Sequence, residues 1–121
     1  MSASPISQLD ITPRQAIRQL ESDLGLTAKD LTGALDIDRK TLDRWVSGAT
    51  YPQRDARRRL VAMLTLRDRL RESFTDLDGA REWLNAPARY LGGLTPVEVL
   101  RTGRIDRVEA TFEVLESGIF I

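Results

Sequence analysis

Apolar residues recur along this chain at intervals of three and four, and that spacing predicts a succession of helices. Thr12, with Pro13 behind it and Gln15 three residues on, reads as a capping box opening a first helix. Ile17, Leu20 and Leu24 share its inner face, and Gly25 ends it. Thr27 caps a second helix with Leu31, Ala34 and Leu35 inward, ending at Asp36. After a short turn Asp38 caps a third helix, which runs to Gly48 and buries Leu42, Trp45 and Val46. Asp55 opens a longer helix whose stripe is Leu60, Met63, Leu64, Leu70 and Phe74, widened by Val61 and Leu66. Its wet side is expected to carry Arg67, Asp68, Arg69, Arg71 and Glu72. Asp76 or Asp78 starts a helix with Ala80, Trp83 and Leu84 inward. The last helix starts near Gly103–Arg104, with Ile105, Val108, Phe112 and Leu115 inward and Arg107, Glu109, Glu113 and Glu116 outward.

The stretch Trp83–Gly103 is the most tightly specified part of the chain. Pro87 removes a backbone N–H that a continuing helix would need, and Gly92–Gly93 permits a sharp turn. Thr95, Pro96 and Glu98 then form a capping box with proline at the first helical position, and Gly103 stops the short helix. So much fixed backbone in so few residues points to a loop built to a shape. The chain ends in Gly118 and the apolar run Ile119, Phe120 and Ile121. Burying each of these large side chains is worth roughly 1.5–3 kcal/mol, so they either fold on this protein's core or enter a partner's groove.

The run WLNAPARYLGGLTPVEVLRTG, followed by RVEATFEVLESGIFI, resembles the C-terminal toxin-binding domain of Xre/MbcA/ParS-type antitoxins of the RES–Xre class. The matching elements are WLN.P, LGG.TP..LL..G with Val99–Leu100 in place of the double leucine, and the closing glycine and phenylalanine. The resemblance covers roughly residues 74–121. It implies that this half binds and neutralises a RES-domain toxin that degrades NAD, with the C-terminal region covering the toxin's active site. Trp83, Asn85, Arg89, Leu91, Gly92, Gly93, Thr95, Gly118, Ile119, Phe120 and Ile121 are then the expected toxin contacts.

Charge divides the chain, although its net charge is zero. Residues 36–73 carry ten basic against six acidic groups, whereas residues 74–121 carry five against eight. A basic middle and an acidic end fit two partners rather than one. The segment from Leu26 to Pro52 resembles the Xre-type helix-turn-helix of phage-repressor-like regulators, carried by Leu31, Ile37, Leu42, Trp45, Ser47–Gly48 and Pro52. That resemblance puts the third helix in the DNA major groove, with Arg39, Lys40, Thr41 and Arg44 as readers or phosphate contacts and Arg54, Arg57 and Arg58 as phosphate clamps. Asp36, Asp38 and Asp43 run against it, since a carboxylate beside phosphate repels. Asp38 is accounted for as a cap.

The expected architecture is therefore all-α: residues 1–11 flexible, residues 12–73 an Xre-like helix-turn-helix bundle, and residues 74–121 a small helical toxin-binding domain. At 121 residues these are one domain or two small ones sharing a core. Palindromic operators make a homodimer the expected DNA-bound form, within a larger toxin–antitoxin assembly. Without histidine or cysteine the commonest general base and thiolate metal ligands are missing, and no phosphate-binding glycine motif occurs. The chain is read as a binder, not an enzyme, needing no cofactor. The pair Glu113 and Glu116 is read as solvated surface. No membrane span and no secretory leader are expected, so the location is expected to be cytoplasmic. The other reading left open is a stand-alone Xre-like repressor whose C-terminal half serves dimerisation or sensing.

Overall fold

A computed structural model describes residues 11–118, and among them every regular element is a helix. The order is α1 (Pro13–Leu24), α2 (Ala28–Leu35), α3 (Arg39–Ser47), α4 (Arg54–Ser73), α5 (Leu77–Leu84), a 3-10 turn (Arg89–Leu91), α6 (Pro96–Arg101) and α7 (Ile105–Ser117). Two capping boxes form as the sequence predicts, and the Thr27 cap is completed by Asp30 into a third. Thr12 with Gln15, Thr27 with Asp30, and Thr95 with Glu98 each exchange side-chain and backbone hydrogen bonds. Each satisfies two backbone donors that a helix start would otherwise leave unpaired. Asp38 caps α3 by accepting from the Thr41 N–H at 2.8 Å, and Asp76 caps α5 through the Gly79 N–H.

Between α2 and α3 the chain turns through Asp36, whose φ of 56° makes it the one non-glycine residue with left-handed backbone among those described. A short polar side chain tolerates that conformation better than a branched one. The Asp36 and Ile37 N–H groups donate to Gly33 and Thr32 carbonyls, which closes α2 and directs α3 away at once.

One apolar core runs through both halves of the chain. Ile17, Leu20, Leu31 and Leu35 of the first two helices join Leu60, Met63 and Leu70 of α4, and Leu84, Leu100, Val108 and Phe112 of the later ones. The tightest approach lies between α2 and α6. A Cβ on Gly33 would come within 2.3 Å of the Arg101 carbonyl oxygen and 2.6 Å of its Cα, so the two backbones touch there. Beside that contact Arg101 donates its Nε–H to Asp30 at 2.5 Å, while the other Asp30 oxygen accepts the Thr27 N–H. Arg59 of α4 completes the clasp, donating to the carbonyls of Gly103 at 2.9 Å and Ala34 at 3.4 Å.

The structure corrects several readings of the pattern. Helix α4 starts one residue before Asp55, with Gln53 at the cap position and no side-chain cap bond. Arg67 and Arg69 do not lie on a wet face. Arg67 is tucked against Asp23 at 2.6 Å, and Arg69 reaches Glu116 at 2.6 Å with its guanidinium 5.3 Å from the Phe112 ring centroid. Glu113 and Glu116 accordingly have the basic partner that their helix alone did not reveal. Leu115, expected inward, is 46% exposed. Ile11, assigned to a flexible start, packs against the core. Residues 1–10 lie outside the described residues.

Candidate interaction surfaces

The turn between α5 and α6 closes on itself. The Ala88 N–H donates to the Leu94 carbonyl at 3.0 Å, and the Ala88 carbonyl accepts from Leu91 at 3.0 Å and from Gly93 at 2.9 Å. Gly92 and Gly93 hold φ of 68° and 91°, and a Cβ on either would meet nothing within 4 Å. Here glycine serves the backbone angle and leaves open space in front of the turn. Below, Leu91 is 3% exposed and anchors the turn in the core. Above, Asn85, Arg89, Gly92 and Gly93 face solvent, and so do Tyr90 and Leu94, each 46% exposed.

These positions sort the sequence-predicted toxin contacts. Leu91 faces the protein's own core, so its role here is to hold the turn. Trp83 is half-buried and meets Phe112 edge to face, with ring centroids 5.4 Å apart. The Asn85 amide donates to the Arg81 carbonyl at 2.8 Å and closes α5. Thr95 is occupied in capping α6. Gly118 turns the end of α7 with φ of 77°, and Ile119, Phe120 and Ile121 lie outside the described residues. Sequence reasoning passed over Tyr90 and Leu94. The available signal was two large apolar side chains in a stretch with no helical period to bury them.

The second surface is the outer side of α3 and the start of α4. Arg39, Lys40, Arg44, Arg54 and Arg58 are exposed there, with Thr41 and Arg57 half-buried. Arg39 pairs with Asp43 at 3.1 Å and Arg58 with Asp55 at 2.6 Å, so these two acids each sit against an arginine. Hydrogen bonds from Thr41 hold the Asp38 carboxyl below its ordinary range, so the cap is charged and its charge is directed into the helix start. Arg59, next to the predicted clamps, turns inward to the carbonyls named above. Trp45 is buried, as its spacing with Leu42 required.

A family model described as the antitoxin Xre/MbcA/ParS C-terminal toxin-binding domain matches residues 69–118. The mycobacterial cidal antitoxin MbcA, from Mycobacterium bovis and from Mycobacterium tuberculosis, is 31% identical over 98 residues, covering 81% of this chain and 86% of the relative. This chain belongs to the Xre/MbcA/ParS antitoxin family. A crystal structure of the M. tuberculosis MbcT–MbcA toxin–antitoxin complex matches the fold with a TM-score of 0.64 at 28% identity, over 89% of this chain and 96% of that one. The match to this antitoxin family begins near the end of α4, so that end, α5, the closed turn, α6 and α7 carry the family's pattern. Among the described residues of this family member, no helix is long and apolar enough to cross a membrane.

Proposed function

We propose that this antitoxin neutralises a RES-domain toxin that degrades NAD, presenting the turn Ala88–Thr95 and the chain end across the toxin's active site. The observation that carries this reading is the turn itself: a self-closed backbone, buried behind through Leu91, with Arg89, Tyr90 and Leu94 standing out in front. Aromatic and arginine side chains on a rigid support are the usual anchors of a protein interface. A preformed turn also loses little conformational entropy on docking. The turn lies within the residues that match the family's toxin-binding domain, and the related MbcA stands in a toxin–antitoxin complex. Gly118 and the Ile119–Phe120–Ile121 end form the rest of the proposed contact, with Asn85, Gly92 and Gly93 lining the approach.

We further propose that α2 and α3 form a helix-turn-helix that binds the operator of the protein's own operon, as a homodimer. Arg39, Lys40, Thr41 and Arg44 of α3 read bases or contact phosphate, and Arg54, Arg57 and Arg58 contact phosphates. The exposed basic face of α3 and the first turns of α4 support it. No residue set in this scheme performs chemistry; the role is binding, in the cytoplasm.

The deciding experiment purifies the chain with the product of the adjacent gene and follows NAD consumption. The expected result is consumption by the toxin alone and its arrest by this chain at stoichiometric amounts. Tyr90→Ala with Leu94→Ala should weaken that arrest at least tenfold while leaving the fold intact. A toxin that keeps full activity when saturated with the unaltered chain would refute the proposal.

A further inference from the structure

Beside the predicted reading helix the surface is not flat. Ile37, Trp45 and Ala56 floor a shallow open trench between α3 and the first turn of α4. Thr41 and Arg44 form one wall, and Thr50, Tyr51 and Gln53 form the other. Tyr51 is 62% exposed, the highest of any large apolar or aromatic residue described. Its loop is nevertheless held. The Ala49 N–H donates to the Arg44 carbonyl at 2.9 Å, Gly48 takes φ of 84°, and the next residue, Pro52, is buried. A large ring is thus presented to water on a fixed backbone, with its hydroxyl free to donate.

Positive charge prevails at the trench, because the Asp38 carboxylate behind Thr41 is bound into the start of α3. The nearby carboxylates of Asp43 and Asp55 already sit against Arg39 and Arg58, whereas no ion pair to a described residue engages Arg44 or Arg54. Positive charge, hydroxyl donors on Thr41, Thr50 and Tyr51, and an apolar floor match the alternating phosphate and deoxyribose of a nucleic-acid strand. We propose that this trench seats one strand of duplex DNA backbone, with Tyr51 as its anchor and Arg44 and Arg54 neutralising the flanking phosphates. The inference rests on the operator-binding reading and adds to it Tyr51 and its trench, bordered by the sequence-expected contacts Thr41 and Arg44. Contacts to phosphate and sugar fix register and carry no base information, so the site should act alike on any duplex.

The test uses the full chain and two fluorescent 40-base-pair duplexes, one from the region immediately upstream of its own gene and one with that sequence scrambled. Tyr51→Phe, which deletes only the hydroxyl, should weaken both duplexes roughly three- to tenfold, and Tyr51→Ala more than that. Arg44→Ala should reduce the slope of log affinity against log salt by about one. Because Tyr51 is exposed, both variants should keep the unaltered melting temperature. Unchanged affinity in Tyr51→Ala, with the unaltered chain binding normally, would overturn the trench and leave operator binding standing. A loss confined to the upstream duplex would overturn the backbone role. A loss of toxin arrest without a loss of DNA binding would mean that the trench serves a protein. If the unaltered chain binds neither duplex, operator binding and the trench both fail.

Discussion

A methyl group on Gly33 would have to enter space already filled by the backbone of Arg101, 2.3 Å from its carbonyl oxygen. Helix propensity favours alanine over glycine by about 1 kcal/mol in a helix interior. Overpacking against a backbone that cannot rotate away costs about 1–3 kcal/mol on its own scale, and here the obstacle is main chain. Gly33→Ala should therefore destabilise the protein by about 1–2 kcal/mol in urea unfolding, and a stabilised variant would show that α2 and α6 do not touch as described. Gly92 makes the opposite case. A Cβ there meets nothing, so Gly92→Ala should cost only the left-handed strain, about 1–2 kcal/mol, with no change in how α2 and α6 pack. Asp30 joins the same contact. Its carboxylate is 4% exposed and serves both the α2 capping box and Arg101. Asp30→Ala loses cap and ion pair together and leaves Arg101 unpaired, though that guanidinium is partly solvated and the loss is discounted accordingly. An expected loss of about 1–3 kcal/mol follows, with Asp30→Asn milder because its amide oxygen can still cap.

At the level of elements, the helices were readable because their signals are local. Thr12, Thr27 and Thr95 each stand three residues before the side chain that completes the box, and all three boxes form. What the pattern missed depends on neighbours remote in sequence. Arg69 reads as solvent-facing on α4 until α7 lays Phe112 and Glu116 against it. The same pairing gives α7 a pH signature. A hydrogen bond from Arg69 holds the Glu116 carboxyl below its ordinary range against the opposing effect of burial, with a lesser contribution from Ser73. A carboxyl whose folded pKa is lowered stabilises the fold only while ionised. Its contribution is present above the unfolded value and disappears as pH falls through the folded one. Glu109 runs the other way, since burial raises its pKa, so its contribution is present at low pH and is lost as pH rises through the raised value. Glu116→Gln should therefore flatten the fall in urea midpoint as pH drops below the ordinary glutamate value. An unchanged acid limb would mean that the Arg69 contact does not persist in solution. Thr95→Ala, removing the α6 cap, should cost about 1 kcal/mol by the same measurement.

For the molecule as a whole, the question is whether the basic half can exist without the acidic one. Sequence placed a boundary after residue 73, where the helical pattern pauses and the charge balance changes. The closed turn was legible there too, through Pro87, Gly92–Gly93 and the Thr95 box, but the direction each side chain takes from it was not. Nor was the clasp between Asp30 and Arg101, whose members are 71 residues apart and carry no mutual signal in one sequence. Packing removes the independence that a boundary implies. Leu84, Leu100, Val108 and Phe112 belong to the same core cluster as Ile17, Leu31 and Leu60, and Gly33 has Arg101 as its neighbour. Cutting the chain after Ser73 would expose the inner faces of α2 and α4 and leave Asp30, buried in the intact chain, without its arginine. Each large apolar side chain returned to water costs roughly 1.5–3 kcal/mol, against a total stability of about 5–15 kcal/mol for a domain. A few such losses suffice. The fragment 1–73 is thus expected to lack a cooperative thermal transition in near-ultraviolet circular dichroism, where Trp45 reports on packing. A sharp transition close to that of the full chain would show that the first half carries a core of its own, and that the clasp between α2 and α6 joins two finished units.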